Sequence, residues 1–140
     1  FRMRHLLLLS LALSTLAVIA AAGKKPEQLS PAAREFLKKR NEFKAKLDAE
    51  MDAVMKNIPG GKAHADWYKK YKEVYYKNMK LPKDARAPLP PAPTGPYASS
   101  AKQAYRKFAK EKQLQKRLSD FNGSNPPAFN ELFENGYIHD

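Results

Sequence analysis

Few side chains in this sequence could do chemistry, and those few are scattered. The three histidines, His5, His64 and His139, form no HxxxH or HExxH spacing for a metal. Cysteine is absent, which excludes thiol catalysis, disulfides and cysteine-type zinc sites. The pair Gly60-Gly61 lacks the flanking pattern of a phosphate-binding loop. We therefore expect no catalytic residue, no metal site, no cofactor and no enzymatic activity.

Positive charge is the strongest chemical signal. Lysine and arginine number 26 against 14 acids, giving a net charge of +12, and seven of these cations lie between residues 102 and 117. Such a segment attracts phosphates, anionic lipid headgroups or acidic protein surfaces. The candidates for contact with anionic lipid or phosphate are Lys24, Lys25, Lys102, Arg106, Lys110 and Arg117.

Aromatic side chains accompany the cations. Between Ala63 and Lys80 they recur at helical spacing and lysines fill the rest of the helix. Such a stripe packs on the preceding helix as a hairpin, docks a partner protein or contacts the membrane interface, and the spacing leaves all three interpretations open. The candidates for partner docking are Trp67, Tyr68, Tyr71, Tyr75, Tyr105 and Phe108.

An uncharged apolar run extends from Leu6 to Ala22. It has the features of a secretory signal, with Arg4 before it and small residues at Ala20 to Ala22 for cleavage. It also has nearly the length of a membrane span, since 18 helical residues cover about 27 Å. Because Phe1 and Arg2 precede Met3, we favour a retained transmembrane anchor over residues 1–23.

One side of this predicted anchor carries small residues. Ser10, Ser14, Ala17 and Ala21 follow one another at i, i+4, i+7 and i+11. Small residues allow helices to approach closely in lipid, so these four are the candidates for transmembrane packing.

Three further segments follow the anchor. Residues 24–80 predict an amphipathic helical hairpin that begins with Ser30 as N-cap and turns at Pro59-Gly60-Gly61. Residues 81–97 contain six prolines and predict an extended arm. Residues 98–140 predict a basic helix from Ser100 to Asn122, with Ser100 and Gln103 as a capping box, and an acidic tail with one short helix. The predicted fold is all-α, with a transmembrane helix, helical extramembrane segments joined by the proline-rich arm, and no compact independent core.

These features favour a structural accessory subunit of a multisubunit membrane complex. The basic composition, the single short anchor and the proline arm point most to a respiratory complex or ATP synthase of the mitochondrial inner membrane, with thylakoid or other membranes as alternatives. The expected partners are other subunits and membrane lipids, anionic ones included. Two alternatives remain: a ribosome-associated or other nucleic-acid-binding basic protein, less favoured because no recognisable binding motif is present, and a secreted or lumenal protein with a signal peptide.

Overall fold

The computed structural model describes residues 23–139, and over these residues all regular structure is helical. This confirms the all-α prediction. The five α-helices are α1 (Pro31–Met55), α2 (Gly61–Met79), α3 (Ala98–Glu111), α4 (Leu114–Asn122) and α5 (Pro126–Glu134). Single 3-10 turns occur at Pro26–Gln28 and Lys83–Ala85.

The predicted anchor lies outside the described residues, except for Gly23. The same holds for its packing candidates Ser10, Ser14, Ala17 and Ala21. Within residues 23–139, no helix combines the length and the apolar character that crossing a bilayer requires.

Helix α1 begins where the sequence predicts. The Ser30 hydroxyl accepts a hydrogen bond from the Ala33 N–H, and Pro31 occupies the first helical position. The helix ends at Met55, and Gly60 turns the chain into α2 with a φ of 73°. Gly61 allows the tight approach, because a Cβ there would overlap the Met55 carbonyl oxygen. Helices α1 and α2 pack on each other as the predicted hairpin.

The predicted single helix from Ser100 to Asn122 is wrong. The chain forms α3 and α4 instead, separated at Gln113, which takes a left-handed φ of 53°. On one continuous helix, the apolar set of α4 would be rotated by roughly 120° from that of α3. The break lets Phe121 of α4 insert beside Phe36 and Phe43 of α1, at ring distances of 5.2 and 4.9 Å.

The predicted capping box of this region is also wrong. The helix starts at Ala98, and the Ser100 hydroxyl donates to the Tyr97 carbonyl oxygen instead of capping an N–H group. Tyr97 stands at the N-cap without a side-chain hydrogen bond. At α5 a side-chain cap is present, since the Asn125 side chain accepts from the Ala128 N–H and Pro126 follows it.

Two hydrophobic clusters are buried, which corrects the expectation that the segments have no compact core. Each is small, and each combines residues from the two sides of the proline arm. The first cluster buries Leu29, Ala33, Phe36, Ala128, Leu132 and Ile138. The second buries Met51, Met55 and Ala65, with Val54, Ile58, Ala104, Tyr105, Phe108, Ala109 and Leu114 packed against them. Helix α1 is about 37 Å long, so one helix contributes to both clusters.

The proline arm, predicted as an extended segment, is fastened to α2 of its own chain. The Asn78 amide donates to the Ala87 carbonyl oxygen at 2.8 Å and accepts from the Ala87 N–H at 3.0 Å. The Trp67 indole N–H donates to the Pro90 carbonyl oxygen at 2.9 Å. Because prolines have no N–H, the arm cannot join a backbone ladder, and side-chain donors bind its carbonyl groups instead.

The first cluster sets a test of the fold. Leu132 is 0% exposed, so Leu132→Ala leaves a cavity and should lower the free energy of unfolding by about 2–5 kcal/mol. The matched control is Leu89→Ala, because Leu89 is 45% exposed and its truncation should change stability by less than about 0.5 kcal/mol. Urea unfolding followed by circular dichroism measures both. Equal effects of the two substitutions would contradict the described packing.

Candidate partner-binding groove

The aromatic stripe of α2 packs against α3. Tyr68 and Tyr105 meet edge to face with ring centroids 5.1 Å apart, and Trp67 lies 5.2 Å from Tyr71. His64 is buried among them, 5.3 Å from Trp67 and 5.2 Å from Tyr105. The first part of the stripe is therefore joined to its own chain, yet its members remain half-buried and keep accessible edges.

A row of cations runs along α3 beside these rings. Lys102, Arg106 and Lys110 stand at i, i+4 and i+8, so they project from one side of the helix at intervals of about 6 Å. All three are exposed. Among residues 23–139, none of the three has a carboxylate within ion-pair distance.

The rings and the cations line one open groove. Its volume is about 1250 Å³, and residues from all of the first four helices line it. Six of its described lining side chains are cationic and one, Asp48, is acidic. The cations are Lys44, Lys72, Lys102, Arg106, Lys110 and Lys116, the aromatics are Trp67, Tyr68, Tyr71, Tyr76 and Tyr105, and the apolar floor includes Leu47, Leu114 and Leu118.

Two ion pairs hold the walls of the groove. Lys69 Nζ lies 2.7 Å from Asp52 Oδ2 and joins α2 to α1, and Arg117 Nη2 lies 2.9 Å from Glu50 Oε2 and joins α4 to α1. The Arg117 guanidinium beside Glu50 lowers the pKa of that carboxyl group, and the hydrogen bond to Asp52 raises the pKa of Lys69. Arg117, a candidate for phosphate contact, is therefore paired within the chain.

The remaining candidates lie elsewhere. Lys24 and Lys25 stand at the other end of α1, where the Lys24 N–H donates to Asn135 Oδ1 at 2.9 Å. Phe108 packs in the second cluster. Tyr75 is exposed and stacks on Tyr71 with ring centroids 5.9 Å apart, beyond the groove. The structure thus brings together Trp67, Tyr68, Tyr71, Tyr105, Lys102, Arg106 and Lys110.

Sequence patterns did not single out Lys44, Lys72, Tyr76 or Lys116 as part of a site. Lys44 belongs to the charged side of α1, which reads as an ordinary solvated helix face. Only the crossing of α1 with α3 and α4 turns that side toward the groove. Helical periodicity could have paired Lys72 with Tyr68, since they are four residues apart, and the Lys72 Nζ does lie 4.9 Å from the Tyr68 ring centroid.

Burial changes the titration of two groups beside the groove. Desolvation, with Lys102 and Arg106 nearby, lowers the pKa of His64, so its imidazole is neutral at pH 7. Desolvation, with neighbouring Tyr68, Asp48 and Asp52, raises the pKa of Tyr105. Its hydroxyl therefore stays protonated and can donate a hydrogen bond to an anion.

The described residues contain no cluster of three histidine, cysteine or acidic side chains that could hold a metal ion. Comparison with known proteins adds no assignment: no family model, no curated protein and no solved structure matches the chain.

Protonation of His64 should destabilise the fold. Because the folded pKa is lowered from 6.5, the unfolded chain binds the proton more readily, so the free energy of unfolding should fall as the pH drops below 6.5. His64→Phe keeps an aromatic ring and removes the titration. Urea unfolding at about pH 7.5 and about pH 5 should show a smaller pH dependence for the variant. The same dependence in both proteins would contradict a buried neutral imidazole.

Proposed function

We propose that this chain acts by binding, as an accessory subunit that holds an acidic, extended segment of a neighbouring protein in the groove between α2, α3 and α4. The observation that carries the proposal is the row of Lys102, Arg106 and Lys110, exposed and without carboxylate partners among the described residues, opposite a wall of tyrosines. Keeping like charges close together lowers stability unless an anion balances them.

The shape of the groove supports an extended occupant. Lys102, Arg106 and Lys110 of α3 line the groove in a row, so a strand-like peptide laid beside α3 could place alternate side chains about 7 Å apart along these cations. That interval is close to the spacing of the cations. Tyrosine hydroxyls on the opposite wall add neutral donors for carboxylate oxygens.

The state of the aromatic rings favours a protein over nucleic acid. Single-stranded nucleic acids bind by stacking bases on free ring faces. Here the Lys72 ammonium covers the Tyr68 ring at 4.9 Å, and Trp67 packs on His64 and Tyr71 while its N–H binds Pro90. The ring faces of Tyr68 and Trp67 are thus already in contact, whereas Lys102, Arg106 and Lys110 have no carboxylate partner among the described residues.

The described acids of this chain do not supply the occupant. Asp120 pairs with Lys116 at 3.0 Å, at the rim of the groove. The Glu131 carboxylate accepts from the Ser30 N–H at 2.8 Å, and the hydrogen bonds from Ser30 lower the pKa of Glu131. The acidic tail is thereby held on the N-terminal part of α1, so the partner segment is expected from another chain.

We infer the location from the sequence. The uncharged run from Leu6 to Ala22 supports a membrane-anchored subunit. The basic composition, the single short anchor and the proline arm favour the mitochondrial inner membrane as its location. The groove then binds a partner outside the lipid, in a complex that the chain stabilises by contact.

A charge-removal variant tests the groove. Trp67 is the one tryptophan in the sequence and lines the groove, so its fluorescence reports binding of a short oligoglutamate peptide to the full chain in neutral detergent. Replacing Lys102, Arg106 and Lys110 by Gln should weaken binding at least tenfold, because three exposed charge contacts of about 0.5 kcal/mol each sum to about 1.5 kcal/mol.

The matched control changes the same net charge away from the groove. Arg34→Gln, Lys38→Gln and Lys83→Gln also remove three exposed cations, and none of these residues lines the groove. This variant should keep the affinity for oligoglutamate nearly unchanged. Equal losses in the two triple variants would show non-specific attraction by net charge and would contradict the groove.

A single-stranded oligonucleotide of equal charge separates the alternative function. Tighter binding of the oligonucleotide than of oligoglutamate, with the steep salt dependence of phosphate contacts, would replace the protein partner by nucleic acid.

The membrane location has its own test. Membranes from the source cells are extracted with alkaline carbonate, and the chain in each fraction is sequenced from its N-terminus. Retention in the membrane pellet, with the run from Leu6 to Ala22 present, is the expected result. Release of a chain that begins near Gly23 would show a cleaved signal and would end the anchor proposal.

A further inference from the structure

The chain enters the described structure at one fixed point. The Lys24 N–H donates to Asn135 Oδ1 at 2.9 Å, and the Tyr137 hydroxyl donates to the Lys24 carbonyl oxygen at 2.7 Å. Gly23 has a φ of 97°, and a Cβ there would come within 2.8 Å of the Asn135 Cα, so the backbone lies directly on the end of α5. The described structure therefore begins beside the end of α5.

Large apolar side chains are exposed near this point. Phe133 on α5 is 44% exposed, and Met79 and Leu81 at the end of α2 are 61% and 40% exposed. Lys80, between Met79 and Leu81, joins the two groups, because its Nζ lies 5.2 Å from the Phe133 ring centroid and 3.4 Å from the Phe133 carbonyl oxygen. Exposed apolar side chains that lie close together on a small protein indicate a surface that a membrane or another protein covers.

Cations surround the same side chains. Lys24, Lys25 and Lys80 are all exposed there. Two exposed acids, Glu27 and Glu134, lie in the same segments, so the local charge is only slightly positive. Apolar contact is consequently the main attraction that this surface offers, and the lysines add attraction to anionic groups at its edge.

We propose that these six side chains (Lys24, Lys25, Met79, Lys80, Leu81 and Phe133) form a membrane-facing surface that lies on an anionic phospholipid bilayer. The occupant follows from the sequence, because the uncharged run from Leu6 to Ala22 ends one residue before the fixed Gly23. A bilayer that holds this run must come close to the end of α5. Phenylalanine, leucine and methionine with lysines at their edge match the boundary between headgroups and acyl chains. This inference rests on the proposed membrane location.

The proposal fixes the orientation of the groove. Tyr76 and Trp67, which both line the groove, stand three and twelve residues before Met79 on α2, so this wall of the groove extends from about 5 Å to about 18 Å along the helix from the membrane-facing surface. Tyr97, whose Cβ lies 2.9 Å from the Cβ position of Gly60, marks the opposite end of α2, about 27 Å from Met79. The groove then extends along α2 away from the headgroups.

Site-specific labelling tests the surface. The sequence has no cysteine, so Phe133→Cys, Met79→Cys and Tyr97→Cys each create a single site for an environment-sensitive fluorophore. The full-length variants are reconstituted in vesicles of phosphatidylcholine and phosphatidylglycerol, with and without lipids brominated on the acyl chain. Labels at 133 and 79 should shift to the blue and lose intensity with brominated lipid. The label at 97, where the native side chain is 55% exposed, should do neither.

The other outcomes are decisive as well. A blue shift at 133 without quenching by brominated lipid would mean that protein covers this surface, and it would overturn the proposal. Quenching at 97 to the same extent as at 133 would also overturn it. Alkaline carbonate extraction of the same vesicles separates the two proposals. A retained chain without quenching at 133 keeps the anchor and rejects the surface, whereas a released chain whose labels were quenched keeps the surface and rejects the anchor.

Discussion

Everything else in the fold depends on the burial of α1 along its whole length. The helix places a buried side chain toward the protein at nearly every turn, from Ala33 through Phe36, Arg40, Leu47 and Met51 to Met55. An isolated helix of this kind would leave its apolar face in water. Its intrinsic helix propensity alone would not keep it folded. The N-terminal half is covered by α5 and the end of the chain, and the C-terminal half by α2 and α3.

The groove is a by-product of this arrangement. Because α3 and α4 both lie on α1, the chain must change direction between them, and Gln113 absorbs that change in its left-handed conformation. The space between these helices and α2 is lined by cationic and aromatic side chains above an apolar floor. Gln113 is not a glycine, so its left-handed backbone is strained. The aromatic packing of Phe121 against α1 offsets this strain energy.

Local signals were predictable from the sequence and contacts distant in sequence were not. Ser30 with Pro31 and the Pro59-Gly60-Gly61 turn are set by neighbours in sequence, and the structure follows them closely. In the sequence, the only sign of the break at Gln113 is that polar residues such as Lys112 and Gln115 interrupt the apolar side of the predicted helix. The change of direction itself depends on packing against α1, which lies far away in the sequence. The fastened proline arm could not be foreseen for a similar reason. Nothing near Pro90 or Ala87 in sequence indicates that the Trp67 and Asn78 side chains, 23 and 9 residues earlier, bind their carbonyl oxygens.

The candidate site likewise combines residues that the sequence could select with contacts that it could not reveal. Periodicity on α2 and α3 was enough to select Trp67, Tyr68, Tyr71 and the row from Lys102 to Lys110. It could not reveal that Arg117 is paired with Glu50, because their separation of 67 residues carries no pattern.

The contact between Lys24 and Asn135 spans 111 residues, and it has a consequence for the order in which this protein forms. Ala128, Leu132 and Ile138 complete the first cluster, and they are synthesised about 90 residues or more after Phe36. Until they leave the ribosome, Leu29, Ala33 and Phe36 have no surface to bury them. The growing chain therefore presents an uncovered apolar helix face while the residues up to α5 are made, and this face needs shielding by other molecules until α5 has emerged.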